Sequence, residues 1–474
     1  MKATDSIQAL LRSKFAYPAA TLAETVKREG SLNRVLPGWI REAKACRDPL
    51  LRARVWAALD TVVAASPASP AARNALLKAA PEGARRAAFD AVAESVSAAQ
   101  DLPDRPKPAG IQHDQVVWVN TPVRIDLSGG WTDTPPISSE GGGCVVNAAI
   151  MLNNQYPVQV VAKLNTAGVI RLTSIDLSER MEISSTALLH DQIDPNHWAA
   201  LPRAALILAG IGPERKSESL GRWLKTLGGG LDLTLFSALP KGSGMGTSSI
   251  LGAAVLACLA RVRGEAPDLG RLYFLTSTLE QRMKTGGGWQ DQVGGLAPGV
   301  KRIVTAPGPD QTPRLRPILL EHAWRNRMLL YYTGQKRMAR GILENVVWRY
   351  LSRDPQTLDV LSRLRRGALD MTRAMEAADF ECFAQGIEDY WSLKKQIDPG
   401  STNAGIEAIL ERTKRWTLAR LLPGAGGGGF ILFVAKNEGD AERIRRELET
   451  RPASPQARFF NFEVDPYGLR VSVL

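Results

Sequence analysis

The stretch Leu239-Pro240-Lys241-Gly242-Ser243-Gly244-Met245-Gly246-Thr247-Ser248-Ser249 carries the most specific chemical pattern in the chain. Its three glycines open backbone conformations closed to other residues, so that successive amides can converge on one point. The apolar run that follows reads as a helix beginning near Ser248, and a helix N-terminus favours an anion. Hydroxyls at Thr247, Ser248 and Ser249 can reach phosphate oxygens or a magnesium ion. The loop lacks the GK[ST] ending of a Walker loop and fits the dinucleotide fingerprint poorly. Alone, it also reads as a plain tight turn.

Two other segments keep it company. Pro122-Val123-Arg124-Ile125-Asp126-Leu127-Ser128-Gly129-Gly130-Trp131-Thr132-Asp133 reads as a strand ending in a glycine turn, and it presents Arg124, Asp126 and Asp133. Leu422-Pro423-Gly424-Ala425-Gly426-Gly427-Gly428-Gly429 runs straight into the apolar segment Phe430 to Ala435. A glycine run of this kind also suits a flexible linker, although linkers seldom lead directly into a buried strand.

These segments need elements to hold them. Leu50 to Ala65 and Ala71 to Ala99 have apolar residues at helical spacing, with breaks at Ser66 to Pro70 and at Pro81. Asp101 to Gly110, with three prolines, reads as a linker or boundary. Beyond it come strand-type runs at Val116 to Asn120, Val158 to Leu164, Val169 to Ile175 and Leu231 to Leu239. Helical runs alternate with them: Ile250 to Arg263, Arg271 to Lys284, Gly341 to Leu351, Thr357 to Ala378 and Phe380 to Gln396. Phe430 to Ala435 is a strand, Asp440 to Glu449 an amphipathic helix, and the runs RFFNFEV and LRVSVL are strand-like segments joined by the turn DPYG. The pattern is α+β, and no internal repeat is evident.

The chain has 474 residues, 44% hydrophobic and 23% charged, which suits about three globular domains and excludes a peptide or a single small module. No apolar stretch approaches the ~20 residues needed to span a bilayer, and the start MKATDSIQALLRSK has no apolar signal core, so a cytoplasmic protein is expected. Cys46, Cys144, Cys258 and Cys382 lie far apart with no disulfide spacing, and three of them read as core or near-core thiols. The four scattered histidines argue against zinc, so any metal should be a hard ion held by oxygen. The 60 Lys and Arg against 48 Asp and Glu give +12. Residues 1–110 hold 17 against 11, so the excess is spread along the chain, with no basic motif for nucleic acid. A basic surface also suits small phosphorylated ligands.

The order Arg/Asp turn, GSGMGTSS loop and GAGGGG loop resembles the superfamily of galactokinase, homoserine kinase, mevalonate kinase and phosphomevalonate kinase over roughly residues 115 to 474. Within it, RIDLSGGWTDTPP and Thr285-Gly286-Gly287-Gly288-Trp289-Gln290-Asp291-Gln292-Val293-Gly294-Gly295 look like the L-fucokinases, including the kinase half of bifunctional fucokinase/GDP-fucose pyrophosphorylases. The kinases of heptose 7-phosphate share the general pattern but are less like this Trp-Gln-Asp-Gln segment. The first ~110 residues resemble, more loosely, the helical region preceding that kinase half.

The resemblance implies a two-lobed α+β fold, with a left-handed βαβ crossover in the first lobe and a ferredoxin-like second lobe. Residues 1–110 would form a helical extension with its linker, 111–312 the N-terminal lobe and 313–474 the C-terminal lobe. The expected reaction is transfer of the γ-phosphate of ATP to the anomeric hydroxyl of L-fucose or a near relative. Alternatives are a D-glycero-D-manno-heptose 7-phosphate 1-kinase and a catalytically idle sugar sensor. ATP would sit on Lys241, Gly242, Ser243, Gly244, Met245, Gly246, Thr247, Ser248 and Ser249, with Mg2+ held by Ser248 and Glu280. Asp291 would be the base and Arg124 would stabilise the moving charge. Asp126, Gly130, Trp131, Asp133, Asn147, Trp289, Gly426 and Gly427 would bind the sugar. On residue type alone, Glu280 also suits a solvated helix face, Asp291 a turn or cap, and the two tryptophans a core. Galactokinases carry an acidic residue and a histidine where this chain has Gly130 and Trp131, so galactose fits poorly. Trp131 could offer an apolar face to a deoxy carbon. Partners are expected to be ATP and a small sugar, with no nucleic acid and no membrane, and homo-oligomerisation is left open.

Overall fold

The computed structural model describes residues 26, 31–66, 70–97, 107–191, 194–213, 215, 217–240, 242–335 and 339–474. Lys241, most of the Pro-rich linker and the first residues of the chain lie outside them. Four helices open the described chain: α1 (Leu32–Ala45), α2 (Pro49–Ala64), α3 (Pro70–Ala79) and α4 (Ala84–Ser97). Asp48 caps α2, its Oδ1 accepting from the amides of Leu50 and Leu51, and Pro49 fills the first helical position, where an amide is not needed.

The strands are β1 (Val116–Thr121), β2 (Val123–Ser128), β3 (Cys144–Leu152), β4 (Val158–Asn165), β5 (Ile170–Ser174), β6 (Glu179–Ile183), β7 (Gly230–Ser237), β8 (Val300–Val304), β9 (Arg314–Ile318), β10 (Met328–Tyr332), β11 (Thr417–Leu421), β12 (Phe430–Ala435), β13 (Arg458–Phe460), β14 (Phe462–Val464) and β15 (Arg470–Val473). The longer helices among them are α5 (Thr247–Val262), α6 (Leu269–Arg282), the shorter α7 (Gln290–Leu296), α8 (Ala339–Leu351), α9 (Pro355–Glu376), α10 (Phe380–Ile397), α11 (Ala404–Thr413) and α12 (Glu438–Thr450).

Two sheets build the first lobe. One runs β15-β1-β4-β7-β5-β6, antiparallel except for the parallel pair β5/β7. In the other, β3 pairs with β2, β8 and β14, and β8 with β9. The second lobe has an antiparallel sheet, β11-β12-β10-β13. In β12 all six residues, FILFVA, are buried, as befits a central strand covered on both faces. The architecture is α+β in two lobes with a helical extension.

The structure differs from the sequence reading at several places, three of which bear on the site and the lobes. β3 had no strand signal of its own, because eight of its nine residues are buried and the period-2 alternation is absent. RFFNFEV divides at Asn461: β13 joins β10 in the second lobe, whereas β14 joins β3 in the first. Asn461 and Asn153 fix that crossing, the Asn153 amide donating to the Asn461 carbonyl at 2.8 Å. Chain position 312 falls between β8 and β9, two paired strands of one sheet, and β14 and β15 return to the first lobe. The lobes are therefore interleaved along the chain.

The extension has its own core, including Leu36, Trp39, Val55, Trp56 and Leu59, and that core takes in Val347 and Leu351 of α8. Arg85 of α4 lies over the Trp348 ring at 5.5 Å, and Glu140 pairs with Arg353 at 2.6 Å. Three of the four cysteines are buried and Cys382 is exposed. Among the described residues, no helix is long and apolar enough to cross a membrane.

Candidate active site

β7 delivers the chain to the glycine loop, and Gly242, Gly244 and Gly246 all take left-handed backbone, with φ of 76°, 86° and 73°. Gly246 is the N-cap of α5 and supplies no side-chain cap, so the first amides of the helix are left for a ligand. The helix starts at Thr247, next to the expected start near Ser248. Ser243 Oγ lies 3.2 Å from Thr247 Oγ1, Met245 is buried, Ser248 is exposed and Ser249 is buried. The third glycine segment closes on this loop. The Phe430 amide donates to the Ser243 carbonyl at 3.3 Å, and a Cβ on Gly429 would lie 2.2 Å from that same oxygen.

Beneath the loop lies Arg124 of β2, 1% exposed. Its Nε and Nη2 donate to Asp291 Oδ1 at 3.0 and 2.6 Å, and its Nη1 donates to the Gly244 carbonyl at 2.6 Å. Burial alone would lower the pKa of this guanidinium, but the Asp291 and Asp126 carboxylates outweigh it, and the group is held as a cation. Asp291 sits in the first turn of α7, 27% exposed at the cavity. Lys301 of β8 closes the other end of α7, its Nζ donating to the carbonyls of Gly294, Ala297 and Gly299 at 2.6, 2.8 and 3.1 Å.

Two more carboxylates converge on the same place. Glu280 of α6 accepts from Ser249 Oγ on Oε1, while its buried Oε2 has no partner. Burial, with the Asp291 charge adding, pushes its pKa up to about 8. Asp133 has one buried oxygen without a partner and accepts from the Gln290 amide at 3.4 Å on the other, and burial raises its pKa to about 7. An unpartnered buried carboxylate oxygen is costly, and a cation would relieve it. Among the described residues, no three His, Cys, Asp or Glu side chains make a self-sufficient metal cage. Glu280 with a neighbouring hydroxyl and ligand phosphates is the donor set that magnesium accepts. The hydroxyl in contact with Glu280 is Ser249, and the expected Ser248 stands beside it, exposed at the cavity rim.

The loop and the charged groups around it border one cavity of about 500 Å3, with Met245 and Lys301 behind its wall. Arg124, Gly130, Trp131, Asp133, the glycine loop, Glu280 and Asp291 line it. Other expected sugar contacts do not. Asp126 is fully buried behind the wall, accepting from Tyr390 Oη on Oδ2 at 2.6 Å and from the Gly424 amide on Oδ1 at 2.7 Å. Asn147 is buried, its Nδ2 donating to the Gln290 carbonyl at 3.4 Å, and so braces α7. Trp289 belongs to the core, packed where a Cβ on Gly143 would strike it. Gly426 and Gly427 turn toward Ser401, and their neighbours Gly424 and Ala425 reach the cavity instead.

Tyr390 and Gln290 were missed. Tyr390 lies in a helix whose apolar spacing reads as plain core, and Gln290 is masked by the aspartate beside it. The far end, around Asp176, Leu177, His197, Trp198 and Leu235, joins loops distant in sequence and gave no local signal.

Comparison with known proteins identifies the family domains in the chain. Residues 216–297 match the GHMP kinases N terminal domain, and 371–453 match the GHMP kinases C terminal family. The L-fucokinase/L-fucose-1-P guanylyltransferase of Bacteroides fragilis is 41% identical over 369 residues, 76% of this chain and 39% of that protein. The bifunctional fucokinase/GDP-fucose pyrophosphorylase of Arabidopsis thaliana is 33% identical over 73% of this chain and 32% of its own length. The chain thus spans only about a third to two fifths of these relatives. Among solved structures, Lactococcus lactis galactokinase complexed with galactose superposes with a TM-score of 0.57 at 16% identity, covering 76% of this chain and 96% of that one. Methanococcus jannaschii mevalonate kinase gives 0.53 at 16%, covering 74% and 98%. At such identity these likenesses speak for the fold alone. The chain carries the N-terminal and C-terminal domains of the GHMP kinases, in that order and on that fold.

Proposed function

We propose that the chain is a sugar kinase that moves the γ-phosphoryl group of ATP to the anomeric hydroxyl of L-fucose or a close relative, yielding a sugar 1-phosphate and ADP. The observation that carries this reading is the buried Arg124 forked onto Asp291 Oδ1 directly below an uncapped, glycine-lined helix start. Phosphoryl transfer needs a held triphosphate, an aligned hydroxyl and a group to take its proton. The loop amides and the start of α5 hold the phosphates, with Lys241 assigned to the same loop by its place in the sequence. Asp133 orients the sugar by accepting from its hydroxyls. Asp291 takes the proton from the attacking anomeric oxygen, and Arg124 steadies the charge that gathers there. Magnesium, held by Glu280 with Ser248 or Ser249, would neutralise the phosphate oxygens. The relatives named as fucokinases favour fucose among sugars, and the apolar face of Trp131 suits a methyl carbon. We assign the protein to the cytoplasm, in keeping with four cysteines that lie far apart in the sequence.

The test is ADP release with Mg-ATP across L-fucose, D-arabinose, D-mannose, D-galactose and heptose 7-phosphate, with 31P NMR of the product. An anomeric phosphate on L-fucose is the expected result. Turnover on heptose 7-phosphate alone would replace the substrate, and silence on every sugar would overturn the reading.

A further inference from the structure

Tyr390 reaches across from α10 of the second lobe to the wall of the first. Its Oη donates to Asp126 Oδ2 at 2.6 Å, and Lys394 Nζ lies 3.7 Å from the same oxygen. Asp126 is fully buried, and its other oxygen is taken by the Gly424 amide at 2.7 Å, with Arg124 Nη1 at 3.5 Å. The phenol proton is therefore committed to a buried carboxylate. Burial and the Asp126 and Asp133 charges raise the Tyr390 pKa well above its usual value, so the hydroxyl keeps that proton.

The absence of a side chain at position 130 makes this reach possible. A Cβ on Gly130 would lie 2.2 Å from Tyr390 Oη, 3.2 Å from Asp126 Oδ2 and 3.4 Å from Gln290 Nε2. Tyr390 thus occupies the space that a residue-130 side chain would claim, and it borders the same cavity as Gly130, Trp131, Asp133 and Asp291. A phenol whose hydrogen is already donated has only acceptor capacity left.

From this geometry we infer that Tyr390 is a specificity residue for the sugar: its oxygen accepts a hydrogen bond from one ring hydroxyl, and Gly130 is kept small so that it can. The inference rests on the sugar-kinase reading above. It assigns the second lobe a direct part in reading the sugar, beyond its glycine segment. A substrate lacking the hydroxyl that Tyr390 reads would leave a buried acceptor unmatched, which is how polar sites reject deoxy analogues.

The experiment pairs Tyr390→Phe with L-fucose and its 2-, 3- and 4-deoxy analogues, measuring KM for sugar and for ATP separately, with thermal melting of each protein. The expected result is a rise of roughly three- to tenfold in sugar KM with ATP KM unchanged. One deoxy analogue should behave alike with both proteins, because the contact is already missing. An equal loss against every analogue, or a rise in ATP KM matching that for sugar, would make Tyr390 a structural tie between the lobes and overturn the inference. Gly130→Ala is the second variant: it should raise sugar KM in the same selective way, and an unchanged analogue profile in both variants would also overturn it. Failure of the wild-type chain to phosphorylate any sugar would instead sink the sugar-kinase reading.

Discussion

Arg124 sets two nitrogens on one oxygen of Asp291, Oδ1, and makes no bond to Oδ2, while its third nitrogen holds the Gly244 carbonyl of the glycine loop. The guanidinium thus couples the proposed base to the phosphate-binding backbone. Asp291→Asn keeps an oxygen for Arg124 but removes the proton acceptor. We expect turnover to fall on the order of 10² to 10⁴-fold, with ATP KM within a few-fold of wild type and the melting temperature little changed. Steady-state kinetics checks this, and near-normal turnover would remove Asp291 from the base role.

The two buried carboxyls make stability depend on pH in a direction opposite to that of salt-bridged carboxylates. Asp133 is raised from 3.8 to about 7 and Glu280 from 4.5 to about 8. Between the unfolded and folded values the native chain holds protons that the unfolded chain has lost. The stabilisation is thus present at low pH and lost as pH rises through about 7 to 8. Ligand-free protein in EDTA should therefore lose stability from about pH 5 to about pH 8.5. Glu280→Gln, which cannot ionise, should flatten that decline. Urea unfolding of both proteins across the range measures it, and parallel curves would show that Glu280 does not titrate there.

Gly429 tests the contact between the second and third glycine segments. An alanine there would suffer both a φ of +82° and a Cβ 2.2 Å from the Ser243 carbonyl. Gly168→Ala is the comparison, with φ +67° and nothing within 4 Å of its Cβ. Backbone strain alone costs about 1–2 kcal/mol. Gly429→Ala should cost more than Gly168→Ala and should raise ATP KM severalfold, because the loop carrying Ser243 must move. Equal losses in denaturant midpoint and an unchanged ATP KM would show that the two loops are not mechanically linked.

How far this could be read beforehand depends on how local each signal was. The glycine loop, Arg124, Asp133 and Asp291 stood out because their chemistry is written in short runs, Glu280 followed from the family resemblance alone, and the structure brings them to one cavity. Asp126 belongs to an equally legible run and Asn147 to a strand that gave no signal, and strand alternation alone does not say that β2 and β3 are buried on both faces. All six residues of β2 are buried, so its polar side chains brace the site from behind, except where Arg124 reaches the cavity. Tyr390 comes from a helix some 260 residues after Asp126, and only tertiary structure pairs them. The final strands were legible as strands, but their partners in three different sheets were not, since pairing is set by contacts far away in sequence.

The helical extension is bound to the catalytic lobes through α8 and through α6, against which α4 packs. Val347 and Leu351 are each 2% exposed within the extension's core, while Leu343, two turns back from Leu351 on the same helix, lines the cavity beside Gly286. Leu351→Ala leaves a hole among residues of α1–α4 and should cost about 2–4 kcal/mol. Leu77→Ala, at a side chain 55% exposed, should stay within about 0.5 kcal/mol of wild type. Because α8 is shared by both cores, hydrogen exchange in Leu351→Ala should quicken in α2, α4 and α8 together. The strands β10 and β12, which pack in the other core, should keep their protection. Faster exchange confined to α8 would mean that the extension stands without it. Joint loosening of α8 and the extension, with a weaker grip on Mg-ATP, would make α1–α4 part of the catalytic unit.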